Sequence, residues 1–264
     1  MKKLYTVFAL ILICLNLSAQ NQKKEFTEAI EDNSFLIEEA FNQGKGVVQH
    51  LNVLNYDPMS KSWDYTFVQE WPLFGMKHQI SYDLPLSFAK HSILFENFTV
   101  SYRYQLTYKD AWAAIAPRIS MFVPINNNID NNWGAQLNIP ISKRLSNAFI
   151  AHFNAGLTTF FTRKADRIDN DRKILDTYHM GGSIMALISP KFNLILEYLV
   201  EADFNKIDYD YNQFTHTINP GFRYAMDWGK VEVVVGAAAP ITLAKNQKTT
   251  TGMIFYLSFE HFFK

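Results

Sequence analysis

Serine and histidine are the residue types that would give this chain a hydrolytic activity. A membrane esterase needs a serine nucleophile beside a histidine base, and barrel lipases commonly carry the two as His-x-Ser on one strand. None of the seven histidines has a serine two positions later; the triplets are His50-Leu-Asn, His78-Gln-Ile, His91-Ser-Ile, His152-Phe-Asn, His179-Met-Gly, His216-Thr-Ile and His261-Phe-Phe. A dyad assembled from two strands stays open, but the sequence favours a protein that is not an enzyme.

The spacing of the histidines and acidic residues does not indicate a metal site. No two histidines lie two residues apart on one extended stretch. The run Asp166-Arg-Ile-Asp-Asn-Asp171 offers three carboxylates to Ca²⁺, but the basic residues around it favour a solvated external loop. We predict neither a metal nor a cofactor.

The start of the chain has the three parts of a secretory signal peptide. Met1-Lys-Lys is basic, Leu4 to Leu15 is apolar but too short to cross a bilayer, and Leu17-Ser-Ala19 offers a cleavage site. The single cysteine, Cys14, follows the bulky Ile13, which disfavours lipidation. We therefore predict a leader over residues 1–19 and a mature chain without cysteine, disulfide or thiolate chemistry.

Charge and hydropathy then restrict the class of protein. Without Lys2 and Lys3, 23 of the 25 basic residues remain against 25 acidic ones, a net charge of about −2 that does not suggest a nucleic-acid partner. Aromatic residues make up 15% of the chain and the mean hydropathy is −0.11. Past the leader, no stretch approaches the roughly 20 apolar residues of a membrane helix. A barrel with apolar residues toward lipid and polar residues toward the lumen explains both values.

Alternating apolar and polar residues predict twelve strands, with ten or fourteen as the alternatives. The clearest segment sets Phe98, Val100, Tyr102, Tyr104 and Leu106 against Asn97, Thr99, Ser101, Arg103 and Gln105. The C-terminal strand carries Phe255, Leu257 and Phe259 on one face, as the closing strand of an outer-membrane barrel does. In the first segment the same rule turns Leu51 and Val53 toward lipid and His50 and Asn52 toward the lumen.

Connection lengths agree with this reading, because bacterial barrels alternate short periplasmic turns with longer external loops. The predicted periplasmic joints lie near 74–75, 107–110, 144–147, 189–191 and 227–230. The predicted external loops include 125–132, 163–173, 205–213 and 243–248. Tryptophans near the strand ends suit membrane-interface girdles; they are Trp63, Trp71, Trp112, Trp133 and Trp228.

Residues 20–43 do not alternate. They predict a partly helical or irregular N-terminal arm, which either lies in the periplasm or enters the lumen as a plug. The domain prediction is therefore a signal peptide over 1–19, the arm over 20–43 and the barrel over 44–264.

The stretch from Asn33 to His50, together with Gln69-Glu-Trp-Pro-Leu-Phe74, resembles outer-membrane proteins of the phenol-degradation MetA-type family, which are also labelled transporters. The resemblance covers about Asn33 to Phe88 and is only architectural beyond that. It implies uptake of aromatic or other small apolar compounds, and no catalytic residue can be carried over. Lys264 departs from the usual final aromatic residue.

The sequence thus predicts an all-β protein, a transmembrane antiparallel up-and-down β-barrel in the Gram-negative outer membrane. We expect a porin-like channel or transporter; the alternatives are a closed structural or surface-interaction barrel and, less favoured, a lipid-modifying enzyme. The expected partners are outer-membrane lipid and lipopolysaccharide, the barrel-assembly machinery and a small solute. Charged residues predicted to face the lumen either select solutes or brace the wall by ion pairs. The selectivity candidates are Glu70, Asp83, Arg103, Arg118, Glu197, Glu201 and Arg223, and Asp64, Glu232 and Glu260 share their inward phase.

Overall fold

A computed structural model describes residues 34–89, 92–108, 110–125, 132–161, 175–205, 213–228, 231–245 and 247–262. The predicted leader, residues 20–33 of the predicted arm and the predicted loop 163–173 lie outside these ranges. No helix long and apolar enough to cross a membrane occurs within them.

Sixteen strands make up the described fold. They are β1 (Val47–Asp57), β2 (Ser62–Pro72), β3 (His78–Ala89), β4 (Ser92–Phe95), β5 (Phe98–Tyr104), β6 (Ala114–Ile115), β7 (Arg118–Val123), β8 (Trp133–Arg144), β9 (Phe149–Phe161), β10 (Leu175–Ser189), β11 (Phe192–Asn205), β12 (Gln213–Trp228), β13 (Val231–Ala238), β14 (Ile241–Ala244), β15 (Thr250–Thr251) and β16 (Met253–Phe262).

These strands form one closed antiparallel barrel. Each long strand pairs with its neighbour along the chain, and β1 pairs with β16 from Val47 opposite Phe262 to Tyr56 opposite Met253, which closes the sheet. The short strands β4, β6, β14 and β15 extend the wall at its ends, so the barrel has twelve wall positions. The predicted fold class and strand number are confirmed. Among the twelve described wall strands the closure leaves no open sheet edge, as a barrel in lipid requires.

The inward and outward faces alternate as predicted along most of the wall. On β5, Tyr102 is 40% exposed while the adjacent Arg103 is 2% exposed. On β16, Phe255 and Leu257 lie on the outer surface and Tyr256 is buried. The outside is therefore an apolar band and the inside holds the polar residues, as in a membrane-spanning barrel.

The predicted phase of β1 is wrong. Leu51 faces the lumen, where it packs against Tyr256, and Val53 joins the same cluster. His50 lies outside instead, with its ring stacked 4.6 Å from the ring of Phe259. The physical reason is that part of the lumen is itself apolar, so apolar side chains on alternate positions do not distinguish lumen from lipid.

Tight turns connect the strands at the end where β1 begins, which the predicted topology places in the periplasm. β8 ends at Arg144 and β9 starts at Phe149, while β12 ends at Trp228 and β13 starts at Val231. Between β5 and β6 a bridge from Thr107 to Ile115 prolongs the ladder. The backbone then turns with a hydrogen bond from the Ala111 N–H to the Tyr108 carbonyl.

A lysine in one of these turns links two neighbouring hairpins. The ammonium group of Lys191 donates to the Asp227 carboxylate at 2.9 Å. This hydrogen bond and the attraction of the carboxylate raise the pKa of Lys191. Both side chains are exposed, so the pair contributes little to stability.

The tryptophans named above lie at the two rims of the barrel. Trp63 and Trp133 are near the starts of β2 and β8, and Trp71 and Trp228 are near the ends of β2 and β12. Trp228 is 81% exposed, and Trp112, in the turn after β5, is 80% exposed. This placement is that of aromatic girdles at the membrane interfaces.

Candidate functional site

The lumen is occupied by part of the chain itself. Residues 34–43, here called the lumen segment, contact inward-facing side chains in the half of the barrel where β1 begins. At one end of the segment the Ser34 hydroxyl lies 3.5 Å from that of Ser183 on β10. At the other end the Gln43 N–H donates to Gln79 on β3 at 2.7 Å. The segment thus crosses the lumen and contains neither helix nor strand.

Glu197 of β11 holds the first part of the lumen segment. Its Oε1 accepts hydrogen bonds from three consecutive backbone N–H groups, those of Phe35 at 3.1 Å, Leu36 at 2.9 Å and Ile37 at 3.0 Å. Its other oxygen accepts from the Asn219 side chain at 2.6 Å. Three successive amides around one anion form a nest, in which the carboxylate replaces the carbonyl partners that regular secondary structure would give.

Neutral side chains of the wall hold the rest of the segment's backbone in the same way. The N–H groups of residues 38, 40 and 42 donate to the side chains of Asn154, Ser142 and Gln105, at 2.7, 2.8 and 2.9 Å. The Asn154 and Gln105 amides donate in return to the carbonyls of residues 38 and 40. The wall therefore satisfies the backbone polar groups of a segment that has no ladder of its own.

Arg103 on β5 is the main cation beneath the segment. Its guanidinium lies 3.2 Å from the Glu38 carboxylate, 3.7 Å from that of Glu39 and 3.8 Å from that of Glu70 on β2. It also donates to the backbone carbonyls of Glu39 and Phe41 and to the Asn42 side chain. A buried guanidinium is stable only when it is paired and hydrogen-bonded in this way.

Glu38 is bound by three side chains of the wall, which we call the arginine cradle: Arg103, Arg118 and Asn138. Oε1 of Glu38 lies 3.2 Å from Nη1 of Arg103 and 3.2 Å from Nη1 of Arg118. Oε2 accepts from the Asn138 amide at 2.6 Å. The cradle thus binds a carboxylate with two cations and one neutral donor.

The remaining selectivity candidates also face inward but differ in their surroundings. Asp83 lies near enough to Arg118 for charge attraction, and Glu70 accepts a hydrogen bond from Gln79. Glu201 lies opposite His179 and Thr215, farther along β11 from the lumen segment. The structure therefore brings Glu70, Asp83, Arg103 and Arg118 together near Glu38, and it places Glu197 at the Phe35 end of the segment.

Arg223 is not part of the cradle. It is fully buried on β12, with Nη2 3.7 Å from the sulfur of Met185 and its guanidinium 5.8 Å from the centre of the Tyr256 ring. These two contacts place its guanidinium beside the apolar residues Met185 and Tyr256.

An apolar patch lines the lumen beside the polar groups. It comprises buried side chains of β1, β9, β10, β11, β12, β13 and β16, namely Leu51, Ile150, Met185, Leu187, Ile195, Ala225, Val234 and Tyr256. Phe35 of the lumen segment packs on this patch, with its ring edge-on to Tyr256 at 6.0 Å between centroids. The lumen therefore has one charged region and one apolar region.

A serine and a histidine do meet inside the barrel, across two strands rather than along one. The hydroxyl of Ser142 on β8 lies 2.7 Å from Nδ1 of His152 on β9. The same hydroxyl accepts the Ala40 N–H, and the Phe41 ring lies 6.2 Å from the imidazole. Both side chains are buried under the lumen segment, so the serine has no access to a substrate in this arrangement and the pair anchors the segment.

Several neutral residues of the site were not among the sequence candidates. They are Gln79, Gln105, Asn138, Ser142 and Asn154. Gln79, Gln105 and Asn154 belong to the polar faces that the alternation predicts, so their inward orientation could be predicted from the sequence. They are not among the selectivity candidates because those candidates are all charged residues. Within the described ranges no three histidine, aspartate or glutamate side chains converge as metal ligands would; the aspartate run at 166–171 lies outside them.

Comparison with known proteins bears on the fold. No protein-family model matches the sequence, and no curated protein is significantly similar to it, so the resemblance to the MetA-type family is not confirmed. The structure is similar to the NanC porin, with a TM-score of 0.58 and 10% identity over 81% of this chain and 99% of that one. It is also similar to an outer membrane channel from Pseudomonas putida F1, with a TM-score of 0.60 and 10% identity over 85% of this chain and 98% of that one.

The closed wall, the apolar exterior and these similarities define the class: the protein is an outer-membrane β-barrel. Within that class it is a twelve-stranded barrel with the lumen segment bound across the half where β1 begins.

Proposed function

We propose that this protein is an outer-membrane channel or transporter for small molecules, and that the lumen segment is its gate. The observation that carries the proposal is the kind of bond that holds the segment. Within the described residues, the hydrogen bonds given above between the segment and the wall each use at least one side chain, and none belongs to the strand ladder. The wall closes between β1 and β16 without the segment.

Separate side-chain bonds allow the segment to leave without unfolding the barrel. Each neutral hydrogen bond contributes only about 0.5 to 1.5 kcal/mol net, because water or a solute can replace the partner. A strand, in contrast, cannot leave a closed sheet without exposing a row of backbone groups to lipid.

The lining suits solutes that are partly apolar. The apolar patch around Leu51 and Tyr256 is exposed to water once Phe35 leaves it, and hydrating apolar surface is unfavourable. A lumen that conducts only ions and water would not need such a surface. Aromatic or apolar compounds would cover that surface. This is the solute class that the family resemblance implies.

The closed structural barrel remains the second candidate, and one observation favours it. Arg103 is almost fully buried and binds three carboxylates, an arrangement that braces a wall as well as it binds a gate. We do not propose a lipid-modifying enzyme, since the Ser142 hydroxyl is engaged by Ala40 and His152. Lipopolysaccharide around the apolar band and the barrel-assembly machinery stay proposed partners.

Conductance in planar bilayers separates the two candidates. A variant lacking residues 20–43 removes the lumen segment, and a matched variant lacking only residues 20–33 keeps it. We expect steady conductance from the first, and from the second the low conductance of the full-length protein. A deletion variant that folds, as judged by its heat-dependent migration in detergent gels, and yet stays silent would leave only the closed structural barrel.

A further inference from the structure

The Glu38 carboxylate occupies the arginine cradle as a bound ligand would. It makes short contacts to Arg103, Arg118 and Asn138, all from the wall, and its side chain is only 14% exposed. The carboxylate is contributed by the removable segment, whereas the groups that bind it belong to three strands of the permanent wall, β5, β7 and β8.

When the lumen segment leaves, Arg103 and Arg118 of the arginine cradle lose hydrogen-bond and ion-pair partners. Arg103 then loses both of its closer carboxylates, two backbone carbonyls and the Asn42 side chain, and retains Glu70 at 3.8 Å. Arg118 loses Glu38 and retains the attraction of Asp83. Because a desolvated guanidinium is costly without a hydrogen-bonded anion, an open lumen attracts a replacement carboxylate.

The segment also carries an aromatic group to the neighbouring apolar surface. Phe35 packs on the patch next to Tyr256, and Glu38 follows three positions later. Three residues span at most about 11 Å. One short stretch of chain therefore presents a ring and a carboxylate to two adjacent regions of the lumen.

On the basis of the proposed channel function, we propose that the lumen binds small aromatic or apolar carboxylates in competition with the lumen segment. The solute carboxylate takes the place of Glu38 in the arginine cradle, and its apolar body takes the place of Phe35 on the patch. Arginine suits this site because its planar fork holds carboxylates through paired N–H donors and stays charged at every physiological pH.

Titration calorimetry on the full-length protein in detergent tests the site without any need for transport. The probes are 4-phenylbutyrate, which carries a ring and a carboxylate on one short flexible chain, and its neutral amide. We expect the carboxylate to bind at least tenfold more tightly than the amide. Glu38→Gln, which removes the internal competitor, should tighten carboxylate binding at least tenfold, and adding Arg118→Gln to that variant should reverse the gain.

Asp203→Asn is the matched control, because it removes one lumenal negative charge near the outer end of β11, where Asp203 contacts Thr177. It should leave binding within twofold of the wild type. Should Arg118→Gln fail to fold, Arg118→Lys replaces it, and loss of the fork should still weaken binding severalfold.

Equal binding of amide and carboxylate, no gain in Glu38→Gln, or the same gain in Asp203→Asn would overturn the proposal. The conductance of the variant lacking residues 20–43 is measured separately. If the deletion variant conducts but no carboxylate binds, the proposed carboxylate site is overturned and the proposed channel function stands. If the carboxylate binds but the barrel never conducts, the channel function is overturned and the carboxylate site stands.

Discussion

The Glu197 carboxylate and the Ile37 amide lie 160 positions apart in the chain and meet at 3.0 Å inside the barrel. Their contact needs β11 in its place in the closed wall, because Glu197 is part of that strand. The lumen segment, residues 34–43, contains neither helix nor strand, and the side chains of the wall hold it in place.

Glu197→Gln tests how much this nest contributes to closure. The substitution keeps the shape of the side chain but removes the charge that attracts three backbone N–H groups. Hydrogen bonds to a charged group contribute about 1.5 to 3 kcal/mol, so we expect the open fraction to rise tenfold or more in single-channel recordings.

Glu201→Gln on the same face of β11 is the control for that measurement. It removes the same charge from a position opposite His179, away from the nest. An equal rise in both variants would show that lumenal charge in general, and not the nest, governs closure.

Arginine substitutions at two depths on the outer face test whether that face contacts lipid. Leu137 is 46% exposed near the middle of β8, and Tyr102 lies two residues before the end of β5. Leu137→Arg should cost about 2 to 4 kcal/mol of folding free energy in lipid vesicles, and Tyr102→Arg about 0 to 1 kcal/mol.

Leu137→Ala supplies the matched loss of an apolar side chain without a charge. Urea titrations of the three variants in vesicles give the comparison. Equal costs at the two depths would mean that Leu137 does not lie near the bilayer midplane.

Arg118 and Arg223 should differ in what they control once the lumen is open. In the variant lacking residues 20–43, Arg118→Ala removes a fixed positive charge from the cradle, so the reversal potential under a salt gradient should move toward cation selectivity. Arg223→Ala should move it less and lower the melting temperature more, because that side chain packs on Met185 and Tyr256.

Arg118→Lys keeps the charge and should keep the selectivity of the parent variant. If a conducting Arg118→Ala variant showed unchanged selectivity, Arg118 would not be part of the solute path.

Alternation of residue types was enough to predict the wall, because a strand between lipid and a polar lumen repeats every two residues. It predicted the inward phase of Arg103, Glu197 and Arg223. It failed for Leu51 and Val53, since the lumen beside them is apolar and the period is the same on either face. The external loop at 163–173 stays a prediction, with protease cleavage on intact cells as its test.

The site was less predictable than the wall. The arm was expected either in the periplasm or in the lumen, and its position depends on contacts such as Phe35 with Glu197 and Ala40 with Ser142. These partners lie more than 100 positions away, and no local pattern in residues 34–43 encodes them. The Ser142 and His152 pair is only ten positions apart, but its two members lie opposite each other on β8 and β9, so a pattern along one strand does not predict it.

A reversible lock on the gate tests the central claim most directly. The hydroxyls of Ser34 and Ser183 lie 3.5 Å apart, so cysteines at both positions are placed to form a disulfide between the lumen segment and β10. In the Glu197→Gln background, this double variant should be silent in planar bilayers when oxidised and should conduct after reduction. Ser34→Cys alone, which cannot form the bridge, should conduct under both conditions. If the oxidised double variant conducted as well as the reduced one, with the disulfide confirmed by mass spectrometry, the lumen segment would not be the gate.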